Sequence, residues 1–94
     1  MHLKTKYIDE EVEVIKKTYH DGSLALCLMD EIGQPLMTVS SNLDAPLPDD
    51  HIFVKNYSEN TGILAALQEA GVLGKQVAVI KNGFADFPVC EVLI

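Results

Sequence analysis

Short apolar runs alternate with turn signals along this chain, and only one stretch changes to a helical period. Val12 and Val14 alternate with Glu11 and Glu13, and the pattern continues weakly through Lys16 and Thr18, as a half-buried strand requires. His20-Asp21-Gly22-Ser23 follows, and Asp-Gly between two strand patterns predicts a hairpin. Residues 24–29 are apolar at every position. That reads as a central strand with one face on the core and the other also covered, a role a partner could fill. Residues 30–34 form a second turn, and residues 35–40 a third strand that tolerates Pro35 at its first position. Two prolines and three aspartates make residues 41–50 a loop, before strand character returns at 51–55.

The helical period comes next. Ile63, Ala66, Leu67 and Ala70 stand at i, i+3, i+4 and i+7, one apolar stripe that Leu64 widens. Asn56 is placed to cap this helix, with Glu59 three residues on as in a capping box, and Ser58 is an alternative cap. Gly71 stands where a C′ glycine belongs. The predicted helix covers residues 59–70. Residues 76–81 form a strand, Asn82-Gly83 is the strongest type I′ turn dipeptide, and residues 84–94 give the last strand. Pro88 inside that strand points to an edge position or a bulge. The expected fold class is α+β, a mainly antiparallel sheet in the order β-β-β-β-α-β-β with one helix packed on one face. The whole chain, 1–94, reads as one domain, with residues 1–9 as a loosely ordered lead-in.

Composition narrows the class of partner. The net charge is −7, from fourteen acids against seven lysines and no arginine. Arginine is the usual bidentate phosphate contact, so its absence and the negative sign argue against direct nucleic-acid binding and against anionic membranes. No apolar h-region follows the N-terminal lysines, and no stretch approaches the ~20 apolar residues of a membrane span, so the expected location is the cytoplasm. Cys27 and Cys90 lie among apolar strand residues and read as buried thiols in a reducing compartment.

Candidate chemistry is sparse. His2, His20 and His51 are far apart, and Asp49-Asp50-His51 supplies adjacent residues where a metal needs three or four convergent ligands. Nothing beside Cys27 or Cys90 would depress a thiol pKa. The acidic pairs lie at turns and strand edges, where a carboxyl is solvated rather than raised for acid catalysis. The glycines form no phosphate-cradling pattern. Neither a catalytic residue, nor a metal ligand, nor a cofactor is therefore expected, and an enzyme is the disfavoured reading. Capping accounts for Asn56, Ser58 and Glu59 but leaves Tyr57 without a structural purpose, which makes it a candidate contact anchor. Asp30, Glu31, Asp49 and Asp50 are the candidate acidic contacts with a protein that presents a basic surface. An exposed C-terminal edge strand ending Val92-Leu93-Ile94 would admit a homodimer.

Three segments carry a family resemblance. Asn42-Leu43-Asp44-Ala45-Pro46-Leu47-Pro48, Phe53-Val54-Lys55-Asn56-Tyr57-Ser58-Glu59-Asn60, and Gly62-Ile63-Leu64-Ala65-Ala66-Leu67 with Ala70-Gly71-Val72 resemble a domain-of-unknown-function family. It comprises short bacterial proteins encoded on plasmids, phages and conjugative elements. The resemblance implies a mobile-element setting and no transferable catalytic residue. The expected function is a small, acidic, non-enzymatic protein-binding accessory factor, in counter-defence by analogy with such elements. The alternative is an acidic nucleic-acid mimic that inhibits a host nuclease or defence complex.

Overall fold

The computed structural model describes all residues, 1–94, as nine short strands and one α-helix. The pairing is antiparallel throughout, in three sheets rather than the single sheet expected. The first joins β1 (His2–Lys4) to β2 (Asp9–Glu11). Residues 1–9 are thus structured, not a loose lead-in. Leu3 is buried in the main core, and the Thr5 hydroxyl accepts the N–H groups of Tyr7 and Ile8 to turn the chain. Isolated apolar residues such as Leu3 and Ile8 give no periodicity, which is why sequence pattern passes over them.

The second sheet has the order β3 (Glu13–Thr18), β4 (Leu24–Met29), β5 (Pro35–Thr38). The long first strand of the sequence reading is divided at Val12, which is buried between β2 and β3. In β4, Leu26 and Leu28 enter the main core, while Cys27 and Met29 on the other face are half-buried. The double-sided covering expected there is therefore only partial, and of the two thiols only Cys90 is buried.

The third sheet has the order β6-β7-β9-β8, from β6 (Ser40–Ser41), β7 (His51–Val54), β8 (Leu73–Asn82) and β9 (Ala85–Val92). Val39 joins it to the second sheet. Its N–H donates to the Leu26 carbonyl (2.8 Å) and its carbonyl accepts the Lys55 N–H (2.7 Å). One extended stretch thus pairs with β4 before Val39 and with β7 after it, a strand changing sheets at a corner. Ser40 is buried at that corner, its hydroxyl accepting the Leu26 N–H and sharing a hydrogen bond with the Tyr19 hydroxyl. The C-terminal strand β9 lies between β7 and β8, so it is not the edge; β8 is.

The helical segment is shorter than its apolar stripe suggests. A 3₁₀ turn covers Ser58–Asn60, and the α-helix α1 covers Ile63–Glu69. Gly62 separates them at φ 90°, a left-handed backbone that glycine adopts without a Cβ penalty and that ends the first turn. The capping box does not form: Glu59 pairs with Lys55, and the N-cap position of α1 is Gly62. Asn56 caps from a distance, its Oδ1 accepting the Leu64 N–H at 3.0 Å. The far end closes as expected. Val72 N–H donates to the Leu67 carbonyl and Gly71 N–H to the Gln68 carbonyl, the paired bonds of a Schellman motif. Ile63 and Leu67 are buried, Ala66 is half-buried, and Ala70 is exposed.

Two apolar clusters result. Fourteen buried side chains, among them Leu26, Leu28, Ile52, Ile63, Leu67 and Cys90, form the main core between helix and sheets. Phe53, Phe87 and Val89 form a smaller one on the opposite face of the third sheet, capped by Leu43, Ala45 and Leu47 of the long loop. The alternation of β7 and β9 explains the division, since successive residues point to opposite faces.

Candidate functional site

The β8–β9 hairpin is longer than its neighbour. Strand β7 pairs with β9 only through His51↔Glu91, Ile52↔Cys90 and Phe53↔Val89. Beyond Val89 the hairpin runs on as a two-stranded ribbon, with Val79↔Pro88, Ile80↔Phe87, Lys81↔Asp86 and Asn82↔Ala85 in register. Pro88, which has no N–H to donate, falls where β7 stops pairing, so the proline costs no ladder bond there. The ribbon turns through Gly83-Phe84, not Asn82-Gly83. Gly83 has φ 67° while Phe84 stays out of the left-handed region, the pattern of a type II′ turn. The shift of one residue carries a phenylalanine to the tip, where its side chain is fully exposed.

Beside the ribbon lies the largest concavity of the molecule, a groove of about 540 Å³ lined by Asn56, Tyr57, Asn82, Phe84, Ala85, Asp86 and Phe87. Tyr57 forms one wall. Its backbone is extended (φ −139°, ψ 170°), and Ser58 then turns sharply at φ 56° to begin the 3₁₀ turn. Buried Asn60 anchors that turn by donating Nδ2–H to the Thr38 carbonyl (2.9 Å). The Tyr57 ring meets Phe87 edge-on at 5.7 Å between centroids and 82° between planes. The Lys55 ammonium lies 5.6 Å from the centre of the tyrosine ring and 3.2 Å from Glu59 Oε1. Glu59 is held as a carboxylate, its pKa pulled down to about 2 by its own backbone N–H, the Ser58 hydroxyl and Lys55. Tyr57 is 39% exposed, leaving one ring partly open to solvent over a packed phenylalanine.

The acidic candidates lie elsewhere and apart from one another. Asp30 Oδ1 accepts the N–H groups of Ile32 and Gln34, so the β4–β5 turn already uses it. Exposed Glu31 stands beside it, facing a shallow hollow shared with Glu10. Asp49 and Asp50 border a separate cavity of about 420 Å³ with Thr18, Gly22 and Ser23 at the other end of the β3–β4 hairpin. Six strand residues separate the two places, about 20 Å at ~3.3 Å per residue. Asp50 is itself left-handed (φ 61°) and accepts the Val92 N–H through its carbonyl (2.7 Å). The Asp49 carbonyl accepts a hydrogen bond from His51 Nδ1 at 2.8 Å. No three of the His, Cys, Asp and Glu side chains converge on a metal-holding arrangement. No helix is long and apolar enough to cross a membrane.

Sequence reasoning selected Tyr57 and passed over Phe84. The available signal was a large aromatic directly after Asn-Gly, where a turn rather than a core was expected. No family model, curated protein or solved structure matches the chain.

Proposed function

We propose that this chain is a non-enzymatic, protein-binding accessory factor of the cytoplasm, and that its contact surface is the groove between Tyr57 and Phe84. The observation that carries this reading is Phe84, a phenylalanine held fully in water at the tip of the β8–β9 ribbon. An exposed aromatic contributes nothing to the core, and large aromatics are the side chains that anchor protein interfaces. Tyr57 and Phe87 supply the opposing wall and floor, and Asn56, Asn82 and Asp86 a polar rim. The net charge of −7 favours a partner with a basic surface by steering the encounter, with Asp49, Asp50 and Glu31 contributing to the field from outside the groove. The mobile-element resemblance makes counter-defence the natural setting.

The nucleic-acid mimic ranks second. A mimic works best with its carboxylates along one face. Here Glu10, Asp30 and Glu31 gather at one end of the β3–β4 hairpin and Asp49 and Asp50 at the other, with Lys16 and Lys17 on the strand between.

Three immobilised baits separate the readings: the native chain, Phe84→Asp and Tyr57→Ala. A host protein retained by the native chain and lost from both variants at constant salt is the expected result. Equal retention on all three baits, with release by modest salt, would point to the acidic surface instead.

A further inference from the structure

The lining of the groove beside the ribbon selects what it can hold. Tyr57, Phe84 and Phe87 bring three aromatic rings to it. Only one lining residue carries a charge, and that is the carboxylate of Asp86. Asp86 is exposed and enters none of the chain's ion pairs. Neither its side chain nor the Asn82 amide takes part in an intramolecular hydrogen bond. The main chain of Asp86 is open as well. Strand β7 stops pairing with β9 at Val89, so the outer edge of β9 is bare from there to the tip. In a two-residue hairpin the residues flanking the loop, here Asn82 and Ala85, exchange both main-chain hydrogen bonds. Alternation then turns the N–H and C=O of Asp86 away from β8.

Two lysines stand near the groove, and neither belongs to its lining. The Lys55 ammonium is held 3.2 Å from Glu59 Oε1, which offsets its charge. Lys81 stands opposite Asp86 in the β8–β9 register without forming an ion pair with it. The groove wall thus offers π faces and hydrogen-bond acceptors with no cation of its own, on a chain of net charge −7.

We propose that the groove holds an arginine side chain of the partner protein, an inference that rests on the groove being the contact surface. Charge complementarity and shape select this occupant together. A guanidinium is flat and weakly hydrated, so it stacks on aromatic faces while their quadrupoles attract its charge. Its fork of N–H donors matches the two carboxylate oxygens of Asp86, and further donors are left for the Asp86 carbonyl and the Asn82 amide oxygen. A lysine ammonium is compact and strongly hydrated, and brings charge without a flat face. Lys55 shows the difference within the chain. Its ammonium lies 5.6 Å from the centre of the Tyr57 ring, yet it stays on Glu59 and outside the groove. A neutral apolar side chain would strip water from Asp86 and return no charge to it. The chain has no arginine of its own to compete for the site.

The test is a titration of the isotope-labelled full chain with N-acetyl-arginine amide, followed by the backbone N–H resonances. N-acetyl-citrulline amide, which keeps the shape and loses the charge, and N-acetyl-lysine amide are the controls. The expected result is a saturable shift at Tyr57 and residues 82–87 with arginine, weaker with lysine and absent with citrulline. Asp86→Asn should weaken the arginine response about threefold, the scale of an exposed ion pair. Phe84→Leu, which keeps an apolar tip and removes the ring, should weaken it as well. The proposal is overturned by an equal response to citrulline or lysine, or by shifts centred on Asp49 and Asp50 or on Asp30 and Glu31. An arginine response that both substitutions leave unchanged would also overturn it. A host protein lost from Phe84→Asp but held undiminished by Asp86→Asn would overturn the arginine and leave the groove as the contact surface.

Discussion

The main core and the end of the β8–β9 hairpin are built from similar residues and treat them oppositely. Around α1, Ile52, Ile63 and Leu67 are wholly removed from water. At the ribbon, Phe84 is fully in water and Val79 about half so. Burial of apolar area drives folding, at about 25 cal/mol per Å², so the core residues need no explanation beyond stability. The exposed ones add nothing to it. The two regions differ in what their side chains are for, and the hairpin is where a role outside the fold is to be sought.

The strongest contrast comes from paired substitutions. Leu67→Ala deletes a wholly buried side chain and should cost ~2–5 kcal/mol, read as a lower midpoint in urea unfolding. A loss under ~1 kcal/mol would mean that the helix face is loosely packed. Asn56→Ala lies between the regions. It removes the acceptor for the Leu64 N–H, so about 1 kcal/mol should be lost, as for other helix caps. Asn56→Asp should retain most of it, since a carboxylate oxygen can accept the same bond. Phe84→Asp should change stability by no more than ~0.5 kcal/mol, the usual range for a surface site.

The smallest effect is electrostatic. Glu59 has its folded pKa lowered from 4.5 to about 2. A depressed carboxyl stabilises the folded state fully above pH 4.5, and that contribution is lost as the pH falls toward 2. The group is solvent-exposed, so screening keeps the effect slight. The slight stability difference between the native chain and Glu59→Gln should be constant above pH 4.5 and shrink as the pH falls toward 2, and a difference that stays the same across that window would contradict the assignment.

Much of the core was legible in the sequence. Residues 24–29 form a strand because their apolar run has no other use, and the Gly71 stop ends α1 as written. Helix length was not legible. The stripe extends past the point where Gly62 breaks the backbone, and periodicity is blind to φ. The corner at Val39 was hidden for a different reason. Its two hydrogen bonds reach Leu26 and Lys55, and a local pattern contains no information on such partners. Tyr57 emerged by elimination, because capping explained its neighbours. Phe84 did not, since a one-residue slip of the hairpin turn decides whether the phenylalanine joins the strand or stands at its tip.

The most direct test measures unfolding and partner retention on one preparation of Phe84→Asp. The hairpin tip should prove dispensable for stability and essential for contact: an unchanged urea midpoint and slope, with retention of the host protein lost. A fall in the midpoint comparable to that of Leu67→Ala would place Phe84 in the packing of the fold. Undiminished retention would remove the groove from the contact surface. Either result would contradict the division between core and ribbon.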